Sequence, residues 1–338
     1  MKRFIFFLLI ANILTTYGQT PAVKRIGIIG LDTSHSTTFT AMFNGEKANP
    51  DFADFRITVA YPWGSHTIQE GYSRVPMFTE RIQALGVKIA GSIEELLQEV
   101  DYVLLETQDG HLKVEQALAV FKAGKPVFID KPMAANVTDV CLIFELAAKY
   151  QTPVFSSSSF RYIRPVLEVT SGAKGRVLGA DCFGPCKDEP SHPALYWYGM
   201  HTVEMLFSVM GTGCKTVART HTDDTDIAVG VWDDSRIGVF RGMRTGGEQY
   251  YHFGGFAYCA KEAVKLDDYA DVGYPGLMKE VLRFFLTGEL PVAHETTIEI
   301  YAFMDAANLS AQTGQPVELA DVIQKAKAEA QKKLKEYK

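Results

Sequence analysis

A carboxylate, a lysine and a proline follow one another at residues 130–132, directly after the apolar run 127–129. Such a run predicts a buried strand, and a proline after it favours the start of a helix. In an open α/β sheet, ligands bind beyond the carboxyl ends of the strands. The pattern therefore places Asp130 and the amine of Lys131 in a ligand-binding cleft, where we expect Lys131 to act chemically.

A turn containing two glycines lies much earlier in the chain, at residues 27–30. Gly27 and Gly30 supply two of the three glycines of a dinucleotide-binding turn, and Thr33 stands at the third position. Glycine allows the backbone to approach a pyrophosphate, and the amides of the following helix stabilise its charge. Asp32 adds a negative charge near where a phosphate would lie. The motif predicts either a dinucleotide site or a tight turn without a ligand.

Other residues are candidates for contacts with such a cofactor. Ser34 and His35 follow the turn and could donate hydrogen bonds to a phosphate, although Ser34 is equally suited to cap the next helix. A second strand, predicted over 56–60, would usually end in an acid that holds a ribose. Here Tyr61 and Trp63 follow without an acid, so NAD and NADP are not distinguished. Two interpretations of these aromatic rings are open: one of them stacks on an adenine, or both only pack in the core.

The alternation of apolar runs and amphipathic stretches predicts the fold. The chain has 338 residues, 47% hydrophobic and 22% charged, which is ordinary for a two-domain globular protein. Over 21–156, strands alternate with helices, which requires crossovers and a parallel sheet. Over 157–338, short strands separated by turns predict an antiparallel meander. We predict an α/β fold: a Rossmann-type dinucleotide-binding domain, then an α+β substrate and oligomerisation domain with a mostly antiparallel sheet and a C-terminal helix.

Two helix predictions are specific enough to be checked. The stretch 67–85 predicts one helix, unusually long for its position. Ser92 and Glu95 form a capping box at the start of a helix over 93–98.

The residues 1–20 have the pattern of a secretory signal peptide. Residues 1–3 carry positive charge, 4–14 are apolar, and 15–19 are small and polar, as in a cleavage zone. No cysteine follows the apolar run, so a lipid anchor is not expected. We expect an exported mature protein without a stable membrane anchor, periplasmic if the host is Gram-negative. An uncleaved amphiphilic anchor is the alternative.

Cysteine use and charge limit the partners. An oxidising compartment permits disulfides, and Cys182 and Cys186 are either paired or free. No cysteine and histidine cluster has metal-ligand spacing, so no metal site is predicted. The net charge of -6 argues against a nucleic-acid partner.

The motifs, taken in order along the chain, resemble those of the Gfo/Idh/MocA family (glucose–fructose oxidoreductase / inositol dehydrogenase). The likeness covers nearly the whole mature chain. The segments that carry it are 100–105, 115–118, 123–132, 199–204 and 310–317. The resemblance implies a Rossmann domain, a nicotinamide cofactor and oxidoreductase activity.

The resemblance also implies roles for single residues. Lys131 matches the family's lysine, which contacts cofactor and substrate hydroxyl, and Asp130 replaces its usual glutamate. His201 matches the family's substrate-binding and acid/base histidine. Glu106 and Gln108 fall where the cofactor would lie.

Two departures concern the chemistry. Trp197 stands where dehydrogenases of the family place an aspartate, and tryptophan cannot act as a general base. Gln108 and Asp109 replace a threonine-proline beside the nicotinamide or ribose. Tyr198 is the candidate that could substitute for the missing acid.

Each catalytic candidate also has a structural interpretation. Lys131 could pair with Asp130 or Glu106, and His201 could be a hydrogen-bonded core residue. Four aromatic residues form either a sugar-stacking wall or ordinary packing. They are Tyr162, Tyr196, Trp197 and Tyr198.

Three functions follow as hypotheses. The first is an exported oxidoreductase that uses NAD or NADP, with NAD preferred, on a secondary hydroxyl or ketone of a carbohydrate or polyol. The second is glycoside cleavage through transient oxidation with bound NAD. The third is a non-catalytic sugar-binding protein on the same scaffold. We also expect a homo-oligomer formed through the sheet of the C-terminal domain.

Overall fold

The computed structural model describes residues 23–244, 252–267 and 272–337, and its first six strands form one parallel sheet. The strands are β1 Lys24–Ile29, β2 Phe55–Tyr61, β3 Lys88–Ile89, β4 Tyr102–Leu105, β5 Val127–Ile129 and β6 Val154–Ser156. They lie in the order β3-β2-β1-β4-β5-β6. Because the order reverses between β1 and β4, the crevice at their carboxyl ends is the switch point where such sheets bind ligands.

Helices cover both faces of this sheet. They are α1 Ser34–Asn44, α2 Gln69–Tyr72, α3 Val75–Ala84, α4 Ile93–Glu99, α5 Lys113–Lys122 and α6 Val137–Lys149. Phe39 of α1 and Ile82 of α3 belong to one apolar cluster, and Leu96 of α4 and Val120 of α5 belong to the other. The predicted Rossmann-type domain is confirmed.

The chain between β2 and β3 does not form the single helix predicted over 67–85. It forms α2 and α3, which are separated by Ser73 and Arg74. Pro76 lies in the first turn of α3, where a proline is tolerated, whereas inside a continuous helix it would remove a hydrogen bond. The short helix α2 is therefore free to cross the carboxyl ends of β1 and β4.

The two other predicted helix starts have different outcomes. Ser92 caps α4 as predicted, because its Oγ accepts a hydrogen bond from Glu95 N at 3.1 Å. Pro132 does not start a helix, and the peptide bond before it is cis. Helix α6 begins five residues later behind Asn136, whose side chain accepts from Asp139 N at 2.8 Å.

A second sheet of seven strands follows, in the order β12-β11-β7-β10-β9-β8-β13. The strands are β7 Val177–Pro185, β8 Cys214–His221, β9 Thr225–Trp232, β10 Ile237–Met243, β11 Gly254–Cys259, β12 Ala263–Lys265 and β13 Val317–Glu318. All pairs are antiparallel except β7 with β10. The predicted, mostly antiparallel second sheet is confirmed.

Five helices accompany this sheet. They are α7 Arg164–Thr170, α8 Gly199–Met210, α9 Tyr274–Thr287, α10 His294–Thr313 and α11 Leu319–Leu334. Helix α8 packs on β7 and β10, and all 12 of its residues are buried. This enclosed helix carries His201 in its first turn.

Helix α9 returns to the first sheet. Phe284 contacts Phe155 edge to face, with ring centroids 4.8 Å apart, and Phe285 stacks on Tyr102 at 4.7 Å. Aromatic pairs in these arrangements are favourable beyond their buried area. The helix thus positions its first residue, Tyr274, beside the carboxyl edge of the first sheet.

Three further predictions concern the termini and the cysteines. All five cysteines are free and buried, so the alternative of a Cys182–Cys186 disulfide is wrong. The predicted signal peptide lies outside the described residues. In the part of the chain that is described, no helix combines the length and apolar character needed to cross a bilayer.

Candidate active site

Lys131 lies directly after β5, at the edge of the sheet predicted for it. Its Nζ is 5.8 Å from the centroid of the Tyr198 ring. Gln108, Pro132, Trp197 and Tyr198 line a recess together with the lysine. The space open there to the centre of a water molecule is about 10 Å³, enough for about one water. Burial lowers the pKa of Lys131, although the neighbouring carboxylates favour its charge.

Two buried carboxyl groups lie behind the lysine. Asp130 follows β5 and Glu106 follows β4, and each is at most 1% exposed. Burial and the adjacent Asp130 charge raise the pKa of Glu106 well above its ordinary value, which favours its protonated form. Burial alone would raise the pKa of Asp130, but His35 and two lysines hold it at about 2. Of the two carboxyl groups, Asp130 is therefore the one that favours the charged form.

Lys113 is a site residue that the sequence reasoning missed. It is fully buried at the start of α5, and its Nζ donates to the carbonyl oxygens of Leu105 and Asp130 at 3.0 Å each. Burial lowers its pKa to about 8, against the attraction of the nearby carboxylates. The available signal was its position on the same helix face as Ala117, where a lysine interrupts an apolar stripe.

His35, for which the sequence suggested a phosphate contact, lies between two side chains of the protein. Its Nδ1 is 2.8 Å from Asp130 Oδ2, and its Nε2 is 3.1 Å from the Tyr274 hydroxyl. Both ring nitrogens are therefore engaged within the protein. The histidine connects α1 and α9 to the carboxylate beside Lys131.

The glycine turn also differs from prediction. Gly27 lies inside β1, and a Cβ there would be 2.7 Å from Leu96 Cδ2, so the lack of a side chain at Gly27 permits close packing of α4 on the strand. Gly30 has φ +97°, and a Cβ there would be 2.5 Å from Thr107 N. Gly30 is therefore the first glycine of a G-x-G-x-x-G turn. Counting from it, Asp32 and His35 replace the second and third glycines.

The cap of α1 is the neighbouring threonine. Thr33 Oγ1 accepts a hydrogen bond from His35 N at 3.3 Å, whereas Ser34 is exposed in the first turn. The alternative in which Ser34 caps this helix is wrong. Thr33 is buried under the same turn.

Asp32 occupies the position over which a pyrophosphate normally passes. Its side chain is fully buried, and it accepts hydrogen bonds from Gln108 N at 3.1 Å and from Ser65 N at 3.4 Å. Burial raises its pKa to about 6, with the two amides acting in the opposite direction. A carboxylate here disfavours a diphosphate by charge and by volume.

The segment that covers Asp32 is residues 62–74, which we call the strap. A Cβ on Gly71 of the strap would lie 2.5 Å from Gln108 Oε1 and 3.3 Å from Asp32 O. Asp32 and Gln108 stand on the two sides of the crevice between β1 and β4. The strap therefore fills the switch point of the sheet.

His201 lies on the opposite side of Lys131, in the buried first turn of α8. Its Nδ1 is 2.6 Å from Ser158 Oγ. Burial and the charge of Lys131 lower its pKa well below the ordinary value, so the ring is neutral. A neutral imidazole beside a lysine can accept a proton from a bound hydroxyl.

A serine run supports this histidine and was not recognised in the sequence. Residues 156–159 are four consecutive buried serines, of which Ser156 ends β6. Ser158 contacts His201, and Ser157 donates to Glu204 Oε1 at 3.0 Å. Arg161 Nε donates to the same oxygen at 2.7 Å. Four adjacent polar residues directly after an apolar strand were the signal.

The aromatic set divides into two pairs. Tyr196 is fully buried and donates to Asp305 Oδ1 at 2.6 Å, and Tyr162 is buried in the apolar cluster around α9. These two belong to the packing. Trp197 and Tyr198 line the recess of Lys131. The indole nitrogen of Trp197 is buried and has no hydrogen-bond partner among the described residues.

A second pocket lies at the end of β2. Tyr61 and Trp63 stack there with ring centroids 6.0 Å apart and an interplanar angle of 16°. The space open to a water-sized sphere is about 190 Å³. Gln116 contributes a buried side-chain oxygen without a partner among the described residues. The remaining lining residues are Ile93, Glu94, Leu112, Glu115 and Ala119.

Asp109 anchors the strap within a cluster that includes His111 and His192. The three side chains place ligand-type atoms within 4.8 Å of one another. However, Gly110 N donates to His192 Nε2 at 3.0 Å, and His111 N donates to Asp109 Oδ1 at 2.9 Å. Those lone pairs are already engaged, so the cluster acts as a hydrogen-bonded anchor.

A dinucleotide fits the two ends of the cleft but not its middle. The pocket of Tyr61 and Trp63 suits a planar heterocycle at the end of β2, and the recess of Lys131 lies at the opposite end. Between them, Asp32 and the strap occupy the position of the diphosphate. In this conformation the direct path over the turn after β1 is therefore occupied by the chain itself.

Comparison with known proteins relates these features to a family. Residues 24–158 match the sequence model of Gfo/Idh/MocA, an oxidoreductase family with an NAD-binding Rossmann fold. No sequence among curated proteins matches the chain.

Solved structures share the fold over nearly the whole chain. A probable dehydrogenase from Thermotoga maritima has a TM-score of 0.71 and 19% identity, with 88% of this chain and 99% of that chain covered. A scyllo-inositol dehydrogenase from Lactobacillus casei, solved with NAD(H) and scyllo-inositol, has a TM-score of 0.70 and 11% identity, with 88% of this chain and 99% of that chain covered. An oxidoreductase from Agrobacterium radiobacter, solved with NAD+, L-tartaric acid and magnesium, has a TM-score of 0.69 and 13% identity, with 88% of this chain and 99% of that chain covered. At these identities the likeness shows the fold alone.

Replacing Asp32 by asparagine should change how stability depends on pH. The pKa of Asp32 is about 6 when folded, against an ordinary 3.8, so the wild type loses stability as pH rises through this interval. We expect the free energy of unfolding of wild type to fall relative to Asp32→Asn by up to about 3 kcal/mol between about pH 4 and pH 8. Urea unfolding of both proteins measures this, and a difference that is constant with pH would contradict it.

Proposed function

We propose that this protein, whose residues 24–158 match the sequence model of the Gfo/Idh/MocA oxidoreductase family, is an exported NAD-dependent oxidoreductase that acts on a secondary hydroxyl or a ketone of a carbohydrate or polyol. The observation that carries the proposal is Lys131, which faces a recess at the ligand-binding edge of the sheet. Two buried carboxyl groups lie behind it and a neutral histidine lies beside it. Two of the similar structures are described with NAD and with a polyol or a hydroxy acid.

Lys131 would bind the reacting oxygen of the substrate. Its ammonium can donate a hydrogen bond to a hydroxyl and stabilise the negative charge that develops as the proton leaves. In the reverse direction the same group polarises a carbonyl. The Asp130 charge behind it favours the protonated amine, while burial brings its pKa down toward the working range of an acid.

His201 would move the proton. Its neutral ring can accept the proton of a substrate hydroxyl at Nε2 if Nδ1 donates to Ser158 Oγ. The Ser158 hydroxyl is compatible with this tautomer, because a hydroxyl can accept a hydrogen bond as well as donate one. Trp197 brings no base to the site, but its side chain lines the recess, and its buried indole N–H has no hydrogen-bond partner among the described residues.

NAD would supply the hydride chemistry, and the chain's own residues would hold it at both ends. Tyr61 and Trp63 would stack on the adenine, and Gln108 and Lys131 would lie at the nicotinamide end. Glu94 and Glu115 line the adenine pocket, and no basic side chain is among its lining residues. Negative charge near the ribose repels a 2′-phosphate, which favours NAD over NADP.

One observation favours a second function, the non-catalytic sugar-binding protein. The switch point is filled by Asp32 and the strap, and a scaffold that had lost its cofactor would have this feature. Purified protein separates the alternatives. Bound or titratable NAD supports an enzyme, including one that cleaves glycosides through transient oxidation. Sugar binding without NAD binding supports the scaffold.

Removing the amine of Lys131 should abolish turnover. Assayed with NAD+ and a panel of inositols and monosaccharides, Lys131→Met should lose at least about 10²-fold in kcat/KM on any substrate that wild type converts. His201→Ala should lose about 10²–10⁴-fold if it transfers a proton. Lys122→Met, at an exposed position of α5, is the control and should retain activity. Full activity of Lys131→Met would show that the lysine is structural.

Export is proposed from the pattern of residues 1–20. We expect N-terminal sequencing of protein from the native host to begin near residues 19–21. An intact Met1 on protein from the cytoplasm would contradict this.

The second sheet is proposed as the site of self-association. Two cross-strand rows on its outer face place apolar residues side by side, Val231 with Ile237 and Val229 with Val239. Ile237 is 51% exposed, and such an apolar sheet face is typical of an interface. Sedimentation velocity should show an oligomer for wild type and a monomer for Ile237→Glu. Leu167→Glu, on exposed α7, should stay oligomeric. A monomeric wild type would contradict the proposal.

A further inference from the structure

We infer that the part of the strap beyond Trp63, residues 64–74, is a removable cover that occupies the place of the cofactor's diphosphate and must leave the crevice before a dinucleotide binds, while Trp63 stays in the pocket at the end of β2. This inference rests on the proposed NAD-dependent function. In the resting protein, the strap would exclude the cofactor.

The packing of the strap leaves no room for a ligand beneath it. The backbone at Gly71 is in contact with Asp32 on one side of the crevice and Gln108 on the other, since a single added carbon would lie 2.5 Å from Gln108 Oε1. Gly64 approaches Asp32 in the same way, where an added Cβ would be 3.2 Å from Asp32 Cβ. Glycine at these two positions allows the close approach.

Polar contacts hold the strap at its two ends. Near its start, Ser65 Oγ donates to Asp109 Oδ2 at 2.5 Å, and Thr67 Oγ1 donates to the same oxygen at 3.2 Å. Near its end, Lys187 Nζ is 2.9 Å from Glu70 Oε2, in an ion pair whose side chains are both more than 40% exposed. Hydrogen bonds of this kind are exchanged for water at modest net cost.

Apolar packing contributes little to this closure. Ile68 is 1% exposed but belongs to neither of the two apolar clusters, and Tyr72 is 38% exposed. Segments with few core contacts and many replaceable hydrogen bonds open at low free energy. The strap can thus move without unfolding the sheet.

Cofactor binding and closure should therefore compete. A ligand that requires the open state binds with its intrinsic affinity multiplied by the fraction of open molecules. Weakening the contacts to Asp109 raises that fraction and should tighten NAD+ binding, although no residue that would touch the cofactor is changed.

The test uses the double substitution Ser65→Ala with Thr67→Val, which removes both hydroxyl donors to Asp109. Ser73→Ala is the matched control, because this strap hydroxyl donates to Glu70 O and does not reach Asp109. NAD+ affinity is measured by calorimetry, and hydrogen exchange of peptides covering 62–74 reports opening independently of activity.

We expect the double variant to exchange faster over 62–74 and to bind NAD+ at least tenfold more tightly than wild type, with the control unchanged. Equal measurable affinities, with faster exchange in the variant, would overturn the inference and leave the proposed function standing. Absence of NAD+ binding in both proteins would overturn both. Wild type that binds NAD+ while exchange over 62–74 stays unchanged would also overturn the inference.

Discussion

The arrangement of the site depends on the interactions that stabilise the buried carboxylate of Asp130. A charge inside a protein is tolerated only when paired and hydrogen-bonded. Here His35 contacts the carboxylate, Lys113 binds its backbone carbonyl, and Lys131 follows it in the chain. These partners come from α1, α5 and the end of β5, so satisfying one charge fixes three elements around one point. Tyr274 extends the same network to α9, which the second half of the chain supplies.

The same region explains why the cleft is unusual. In a dinucleotide-binding turn the second glycine lets a diphosphate pass close to the backbone. Asp32 stands there instead, and its burial requires a cover that supplies hydrogen bonds, which Ser65 N and Gln108 N provide. The strap therefore has two effects: it helps to satisfy the buried carboxylate of Asp32, and it obstructs the place of a cofactor. The proposed catalytic residues lie on one side of this cover, and an aromatic pocket lies on the other.

Much of the fold could be predicted from the sequence because it depends on local periodicity. Apolar runs alternating with amphipathic stretches predicted the parallel sheet, and the short run before Asp130 placed Lys131 correctly at its edge. The single helix predicted over 67–85 was wrong because Pro76 begins a new helix there. Gly27 was assigned to the turn because spacing alone does not show where a strand ends. Only the structure placed Gly27 inside β1.

The site itself was harder to predict, for reasons of long-range packing. The contact between His35 and Asp130 joins residues far apart in sequence, and nothing near either residue signals it. Lys113 and the serine run at 156–159 did carry a local signal, since polar residues at apolar positions need partners. The strap could not have been foreseen, because its residues are ordinary loop residues until they are placed over Asp32.

The most direct test of the account compares adenosine with NAD+ in calorimetric titrations of the wild-type protein. Adenosine needs only the pocket of Tyr61 and Trp63, whereas NAD+ must also displace the strap. We expect adenosine to bind at least as tightly as NAD+. An affinity for NAD+ more than tenfold above that for adenosine would show that the diphosphate position is already open, and would contradict the account.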